Sequence, residues 1–381
     1  MNFDWSEEQR QFRDTVVRFA RAELSDDVTS RDLRGEFSRE AWEKCARFGI
    51  QGLPVPAAYG GSGADALTTI AALEGLGYGC ADSGLVFSLN AQMWACELPI
   101  VKFATEEQKR RYLPPMCDGS LIGAHAMSEP DSGSDALSLR TTAEQRDGRF
   151  VLNGSKTFVT NGPIADVFLV FATTQPGNAL RGLTAFLVPK ESEGLTLGEP
   201  LHKLGLRTSP MSELFLDGCE LSEDQLLGEV GQGSAVFNTA MHWERGCILA
   251  SVVGAMERQL ERSLSHARER KQYGRPIGSF QAVGHKIVDM KLRLETSKLM
   301  LYRLGWLLDS GESTPLDSAL TKLALSESFV HSSLDALQVH GGYGYIAEYE
   351  IERDVRDALG SRLYSGTSEI QRNIVAAYLG L

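Results

Sequence analysis

The sequence has no long apolar run free of charge, few cysteines, and fewer basic than acidic residues. No uncharged apolar stretch approaches the roughly 18 residues that a membrane-spanning helix needs, so no membrane span and no membrane partner are predicted. The 38 Lys and Arg residues are outnumbered by 50 Asp and Glu residues, which gives a net charge of −12. This balance argues against a nucleic-acid partner, because such partners are usually bound by a basic surface. It does not exclude an anionic ligand, since a local basic cluster can still bind phosphate.

The cysteines show neither a pairing pattern nor the spacing of metal ligands. Without any Cys-x-x-Cys motif, they predict free, buried thiols and no metal site. Their positions are Cys45, Cys80, Cys96, Cys117, Cys219 and Cys247. The first residues contain no basic segment followed by an apolar core, so no secretory signal is predicted. Both features indicate a cytoplasmic protein.

The first third of the chain predicts helices. At 381 residues, the chain is long enough for two or three domains with cores of their own. Residues 1–118 contain apolar runs with helical spacing at 64–76 and 84–103, separated by a glycine-rich segment at 75–79. The Pro114-Pro115 pair is expected to end a further short helix. We therefore predict an N-terminal helical domain.

The composition changes near residue 119. From there to about residue 225 the segments are short and rich in β-branched and aromatic residues, and turn residues divide them. Residues 149–152 and 156–160, for example, flank an Asn153-Gly154 pair. This pattern predicts a small middle domain with an antiparallel sheet, either a sandwich or a barrel.

The remainder of the chain, residues 226–381, predicts long helices again. Residues 237–271, 281–310 and 316–339 are periodic and contain few helix breakers, which is typical of a helical bundle. The order of helices, strands and helices, without alternating βαβ units, places the chain in the α+β class with three domains. Their predicted bounds are 1–118, 119–225 and 226–381.

Four short motifs could carry chemistry, and each also has a structural interpretation. The polar segment 127–135 could hold a pyrophosphate or a ring edge on its Ser hydroxyls and backbone N–H groups, or be a simple loop. Residues 158–162 fit either a ligand-facing strand end or a hairpin. The basic segment 270–277 is either a solvated connector or a phosphate clamp. The glycine turn at 364–368 precedes a helix whose N-terminus could hold an anion or a polar ring.

A carboxylate in an apolar segment is the candidate reactive group. Glu244 stands between Trp243 and Arg245 within a run that predicts a helix. Such a carboxylate either pairs with a neighbour for structural reasons or has a raised pKa and acts as a base. The local sequence alone does not decide between these roles.

Together these motifs resemble the acyl-CoA dehydrogenase family of flavoproteins over essentially the whole chain. The resemblance implies an N-terminal helical domain, a middle β domain and a C-terminal four-helix bundle, usually assembled as a homotetramer. It also implies FAD as the cofactor, bound between the β domain and the bundle. The matching segments are residues 127–135, 157–162, 269–281, 338–345 and 364–372.

The resemblance assigns three groups of residues to FAD. At the isoalloxazine and pyrophosphate these are Met127, Ser128, Phe158, Thr160, Gly133 and Ser134. Those expected to reach the FAD of a neighbouring subunit are Arg270, Tyr273, Gln281, Gln338, Gly341 and Gly342. Thr367 and Glu369 are expected to contact the ADP portion.

The family removes an α-proton and a β-hydride from an acyl thioester, and here the usual base is absent. Most members carry the catalytic Glu in the position that Ser365 occupies after Tyr364. Isovaleryl- and long-chain-type members instead place it on a bundle helix directly before an Arg, as Glu244 stands before Arg245. Both family positions approach the same α-carbon, so the resemblance implies Glu244 as the base.

The substrate is less specified by the sequence. Trp94 and Trp243 suggest a pocket for a short, branched or cyclic acyl group, shared with Arg245, Tyr364 and Ser365, although either Trp could simply pack in a core. The chain also resembles members that act on groups tethered to carrier proteins in secondary metabolism, including prolyl-carrier-protein dehydrogenases.

The function favoured by these resemblances is the FAD-dependent dehydrogenation of an acyl or aminoacyl group on a carrier protein. Three alternatives to it are open on the sequence. They are an acyl-CoA dehydrogenase of short- or branched-chain catabolism, a flavin oxidase or monooxygenase of the same fold, and a non-catalytic flavin-binding homologue. For a dehydrogenase, the expected electron acceptor is a flavoprotein or oxygen.

Overall fold

The structure is a computed structural model that describes residues 5–24, 27–178 and 182–381. A mixed sheet in the middle of the chain lies between two helical regions. The N-terminal helices are α1 (Glu7–Glu23), α2 (Val28–Arg34), α3 (Arg39–Phe48), α4 (Ala66–Gly79), α5 (Ser83–Gln92), α6 (Leu98–Phe103) and α7 (Glu106–Cys117). The later helices are α8 (Gly233–Cys247), α9 (Ala250–Glu269), α10 (Gln281–Ser310), α11 (Pro315–His340), α12 (Ile351–Gly360) and α13 (Ser368–Tyr378).

Two N-terminal expectations were wrong. Helix α4 runs through the glycine-rich segment at 75–79 instead of ending before it. A Cβ on Gly77 would lie 1.8 Å from the carbonyl oxygen of Ser251 on α9, so the glycine permits the two helices to pack backbone to backbone. Helix α7 likewise continues through the Pro114-Pro115 pair, which sits in its last turn, where the Pro114 carbonyl still accepts from the N–H of Asp118.

Helices α5 and α6 form one continuous path, as the apolar run at 84–103 predicted, with a π-helical turn at Met93–Glu97 between them. A π turn inserts an extra residue into the helical ladder and is often found near functional sites. Here it packs against α8 and against the first strand of the sheet. Through this turn the N-terminal helices therefore contact both the sheet and the first helix of the C-terminal region.

The sheet is mainly antiparallel, as predicted, but two of its strand pairs are parallel. Its strands are β1 (Gly123–Ala126), β2 (Thr142–Arg146), β3 (Arg149–Thr160), β4 (Val167–Thr173), β5 (Leu183–Pro189), β6 (Leu195–Leu197), β7 (Met211–Ser222) and β8 (Leu226–Leu227). The order is β6-β7-β3-β2-β4-β5-β8, and the parallel pairs are β1 with β4 and β2 with β4. Alternate residues of β4 enter two different apolar clusters, so both faces of the sheet are buried there.

Strand β3 corrects another expectation. The Asn153-Gly154 pair does not turn the chain but lies inside a single strand, where the register against β7 shifts between Leu152 and Gly154. A Cβ on Gly154 would lie 2.5 Å from the Thr141 hydroxyl oxygen. The glycine therefore marks a bulge, a feature that glycine in a strand often signals.

The C-terminal region is a helical bundle built on α9, α10 and α11. The single helix expected over 237–271 is two helices, because the chain leaves the helical path at Ile248 and Leu249 between α8 and α9. The basic segment after α9 folds into a two-stranded hairpin of β9 (Lys271–Gln272) and β10 (Arg275–Pro276). Helix α12 was not predicted.

A single apolar cluster joins the two helical regions. It contains Val16 of α1, Ile70 of α4, Val253 of α9 and Leu301 of α10. Helices α4 and α9, which already meet at Gly77, also meet at Gly254, where an added Cβ would lie 2.0 Å from the Glu74 carbonyl oxygen. Among the helices of residues 5–24, 27–178 and 182–381, none is long and apolar enough to cross a membrane.

Candidate active site

A cleft of about 670 Å³ opens where the sheet, the N-terminal helices and the bundle meet. This volume lies within the usual range for a small-molecule or cofactor site. Its walls come from β1, β3, α5, α8, α12 and the turn before α13. The cleft unites the segments that sequence motifs had singled out at 127–135, 158–162 and 364–368.

Glu244 lies on the α8 wall of this cleft. Its side chain is buried, with 8% of the residue exposed. One oxygen, Oε1, accepts a hydrogen bond of 2.5 Å from the Ser365 hydroxyl. The other, Oε2, has no hydrogen-bond partner among the described residues. A carboxylate with one bonded and one bare oxygen is suited to accept a proton.

The pKa of Glu244 is raised. Burial raises it above the ordinary value, and the Ser365 hydrogen bond and the charges of Arg245 and Lys322 act in the opposite direction. A carboxyl whose pKa moves toward neutrality is a stronger base once ionised, which suits a group that must remove a weakly acidic C–H proton.

The turn from Tyr364 to Thr367 places Ser365 against Glu244. Ser365 has a φ of 56° and Gly366 a φ of 91°, so two consecutive residues adopt the left-handed region. The Arg245 Nε–H donates to the Ser365 carbonyl at 3.2 Å. Thr367 then caps α13 by accepting from the Ile370 N–H at 3.3 Å. The structure thus brings together Glu244 and Ser365, which are 121 positions apart in the chain.

The residues matched to the flavin rings and pyrophosphate line the wall formed by β3 and the segment after β1. All six lie on the cleft: Met127, Ser128, Gly133, Ser134, Phe158 and Thr160. Phe158 is 65% exposed and has a φ of 56°, which is an unusual backbone conformation for an aromatic residue. An exposed aromatic face, hydroxyl donors and open space beside Gly133 fit a flat ring system with a phosphate chain.

A buried ion pair fixes this wall, and sequence reasoning had missed it. Glu129 accepts from the Lys156 ammonium at 2.7 Å and from the backbone N–H groups of Arg140 at 2.6 Å and Thr141 at 3.0 Å. Lys156 also donates to the Met127 carbonyl at 3.2 Å. Burial alone would raise the pKa of Glu129, but the Lys156 charge and these donors hold it below its ordinary value.

His125 is a second residue that sequence reasoning missed. It lies on β1 two residues before Met127 and lines the same wall of the cleft. Its ring packs against Phe171 and Phe237, and its Nε2 has no hydrogen-bond partner in the part of the chain that the structure describes. Burial lowers the pKa of His125 to about 4, so the ring is neutral at physiological pH. The alternation of side chains along β1 was the signal that could have found it.

The tryptophans predicted for the substrate pocket do not reach the cleft. Trp94 and Trp243 stack with ring centroids 6.2 Å apart, and Trp94 is fully buried and donates to Asn90 at 3.0 Å. Neither is among the described residues that line the cleft, whose wall at this point is formed by Ala91 and Ala95. Arg245, Tyr364 and Ser365 do line it.

The residues expected to serve a neighbouring subunit lie outside the cleft on the bundle. Tyr273 is 94% exposed, and the Arg270 guanidinium lies 5.5 Å from the centroid of the Tyr343 ring. The remaining members of this group are also exposed: Gln281, Gln338, Gly341 and Gly342. Glu369 is exposed as well and does not line the cleft, whereas Thr367 does.

Three models of the acyl-CoA dehydrogenase family match successive parts of the chain. The N-terminal domain matches residues 6–120, the middle domain residues 124–219 and the C-terminal domain residues 231–380. Among curated relatives, the L-prolyl-(peptidyl-carrier protein) dehydrogenase of Pseudomonas fluorescens is 43% identical over 382 residues, which cover 100% of both proteins.

Solved structures give the same result. The crystal structure of the prolyl acyl carrier protein oxidase AnaB has a TM-score of 0.98 and 49% identity, covering 99% of this chain and 100% of that one. PigA with FAD and proline has a TM-score of 0.98 and 41% identity, with 100% of both chains covered. The resemblance and the fold class inferred from the motifs are confirmed, and the chain belongs to the acyl-CoA dehydrogenase family.

Proposed function

We propose that the protein is an FAD-dependent dehydrogenase that introduces an α,β double bond into an acyl thioester, with Glu244 as the base. The observation that carries this proposal is that Glu244 lines the cleft with Oε1 held by Ser365 and with Oε2 unbonded among the described residues. A Ser365 hydroxyl that donates to a carboxylate cannot act as the base itself. Ser365 stands where most family members carry the catalytic Glu. It therefore supports Glu244, the carboxylate that would take over the role of base.

The cofactor would be held by the wall formed by β3 and the segment after β1. Met127, Ser128, Phe158 and Thr160 would contact the isoalloxazine, and Gly133 and Ser134 the pyrophosphate, with Thr367 near the ADP portion. When bound, FAD would supply at N5 the acceptor for the hydride that leaves the β-carbon. The protein's part is to hold substrate between this wall and Glu244, to receive the α-proton on Oε2 and to exclude water through the apolar lining around Phe237 and Met241.

The substrate we propose is a small cyclic aminoacyl group, such as prolyl, tethered to a carrier protein in secondary metabolism. The full-length similarity to proteins named for prolyl carrier-protein substrates supports this choice. Small residues at Ala91, Ala95 and Gly123 leave room for a compact ring near Glu244. An acyl-CoA substrate would share the same pantetheine arm, so the two forms of delivery must be compared directly.

The decisive experiment is anaerobic mixing of the FAD-loaded protein with matched prolyl thioesters, followed by absorbance near the flavin maximum. Rapid bleaching with prolyl carrier protein, and slower bleaching with prolyl-CoA, is the expected result. Equal or faster bleaching with CoA would assign the enzyme to acyl-CoA catabolism. A flavin that stays oxidised with every thioester, including short branched acyl-CoAs, would contradict the proposed reaction.

We also propose a homotetramer in which Arg270, Tyr273, Gln281, Gln338 and the Gly341-Gly342 pair contact the FAD of a neighbouring subunit. Their exposure outside the cleft supports this arrangement. Light scattering on the purified holoenzyme should give an oligomer. A monomer that keeps its FAD through gel filtration would contradict the role proposed for these residues.

The proposal also covers the electron acceptor and the cellular compartment. The reduced enzyme would pass its electrons to a flavoprotein or to oxygen, which a stopped-flow reoxidation assay distinguishes. All six cysteines are unpaired and buried, which supports a reducing compartment, the cytoplasm.

A further inference from the structure

The turn that carries Ser365 is held by donors from three helices. Arg245 of α8 donates to the Ser365 carbonyl. Lys322 of α11 donates from Nζ to the Gly366 carbonyl at 2.8 Å. Gln371 of α13 donates from Nε2 to the same carbonyl at 2.8 Å and to that of Ser365 at 3.3 Å. Two successive carbonyls thus receive four hydrogen bonds, which fix the direction of the Ser365 hydroxyl.

Lys322 is an unusual member of this set because it is a fully buried cation. None of its surface is exposed. Burial and the nearby Arg245 lower the pKa of Lys322 to about 8, against the opposing charges of Glu327, Glu244 and Glu369. It is therefore largely charged at neutral pH. Burying an ammonium group is costly, so a neutral donor would satisfy the Gly366 carbonyl at lower cost.

The charge of Lys322 acts on Glu244. It favours the ionised carboxylate, as does Arg245, while burial disfavours it. Among the described residues, the other titratable groups that interact with Glu244 are the Cys96 thiol and the Tyr364 hydroxyl, and burial raises the pKa of both. Both stay neutral near pH 7, so Lys322 and Arg245 are the cations that oppose the desolvation of Glu244.

We propose that Lys322 is a positioning residue for the base. It fixes the Ser365–Gly366 turn, so that one oxygen of Glu244 is held and the other is free to react, and it supplies a positive charge that keeps the carboxylate ionised. Gln371 also fixes the turn, but it supplies no charge. This inference rests on the proposed function, because it assigns Lys322 a role toward Glu244 as base.

The test compares the pH dependence of flavin reduction in variants of the FAD-loaded enzyme. In Lys322→Met, the ascending limb of the plot of rate against pH should move to higher pH by roughly one unit. The reason is that removal of a nearby positive charge raises a carboxyl pKa. The part of the loss that is due to the missing charge should be recovered near pH 9, whereas the part that is due to the missing hydrogen bond to the Gly366 carbonyl should remain at every pH. Gln371→Leu removes donors from the same carbonyls but no charge, and should lower the rate at every pH without moving the limb.

Two further variants separate charge from hydrogen bonding. Lys322→Arg keeps the charge and should leave the limb in its place. Lys322→Gln keeps a donor without the charge and should move the limb, and this variant carries the test if Lys322→Met fails to retain FAD. An unmoved limb in both neutral Lys322 variants, or an equal shift in Gln371→Leu, would overturn the inference. A wild-type enzyme that no thioester reduces would instead contradict the proposed function.

Discussion

Two buried carboxyl groups, Glu244 on the cleft and Glu129 next to the cleft residue Ser128, have pKa values shifted in opposite directions. Both residues are little exposed, at 5% for Glu129 and 8% for Glu244. Glu129 accepts three hydrogen bonds, one from an ammonium group, and its pKa is lowered. Glu244 accepts one and its pKa is raised. Burial acts to raise the pKa of both carboxyls, and only at Glu129 do a neighbouring charge and several donors outweigh it.

A third carboxylate shows that a raised pKa is not enough. Burial raises the pKa of Glu97, in the π turn, to about 8, against a hydrogen bond from Gln92. Its Oε2 also has no partner among the described residues. Glu97 does not line the cleft, however. A base needs access to substrate as well as an unsatisfied oxygen, and among these three carboxylates Glu244 alone has both.

The largest effect is expected from neutralising the reactive member of the pair. Glu244→Gln should lower the rate of anaerobic flavin reduction by roughly 10³- to 10⁴-fold, the upper range for loss of a general base. The amide can still accept from the Ser365 hydroxyl, so the fold and FAD content should persist. Stopped-flow absorbance measures the rate, and substantial residual reduction would place the base elsewhere.

The same substitution in the structural member should affect stability instead. Glu129→Gln leaves the buried Lys156 ammonium without its counter-charge, and loss of one partner of a buried ion pair costs about 3–5 kcal/mol. Urea denaturation should show this loss, together with lower FAD occupancy. If Glu129→Gln has the same free energy of unfolding as the wild type, the interactions of Glu129 with its donors do not explain the contrast between the two carboxylates.

The pH dependence of stability should follow the lowered pKa of Glu129. Because its pKa is lower in the folded than in the unfolded chain, its contribution is complete above the unfolded pKa of about 4.3. It is lost as the pH falls through the folded value. Thermal unfolding between pH 6 and pH 3 should therefore show a steeper decline for the wild type than for Glu129→Gln.

A smaller effect is expected when the single donor to Glu244 is removed. Ser365→Ala should retain much of the activity, but the ascending limb should move upward by roughly one pH unit, because a hydrogen bond to the ionised form lowers a carboxyl pKa. Steady-state rates from pH 6 to pH 9 measure this. Collapse of the rate to the level of Glu244→Gln would mean that Ser365 takes part in the chemistry.

The smallest effect is expected on the surface beside Glu129. Arg140 pairs through its exposed side chain with Asp131, but supports Glu129 through its backbone N–H. Arg140→Ala should change the free energy of unfolding by less than about 0.5 kcal/mol, since it removes an exposed ion pair and leaves the backbone donor. A loss as large as that in Glu129→Gln would show that the side chain orders the loop.

The sequence predicted the parts of the site that lie in continuous motifs. The segments around Met127, Phe158 and Ser365 carry their glycine and hydroxyl residues locally, and the fold brings all three to one cleft. The bounds of α10 and α11 also followed closely from uninterrupted periodicity. These features depend on neighbours in the chain.

The features that sequence reasoning missed depend on distant contacts. The Gly154 bulge is set by Thr141 on an adjoining segment, and the break between α8 and α9 at Ile248 lies within an unbroken apolar pattern. The burial of Trp94 against Trp243 and Asn90 likewise depends on contacts that its local sequence does not show. The pairing of Glu244 with Ser365 could be inferred only through the family resemblance.

The glycine contacts between α4 and α9 have a consequence for evolution and design. At Gly77 and Gly254 the two helices leave no room for a methyl group, because the atoms that meet there are backbone. The N-terminal region of a relative would fit this junction only if it also has glycine at the position of Gly77, because the Ser251 backbone occupies the space of a side chain there.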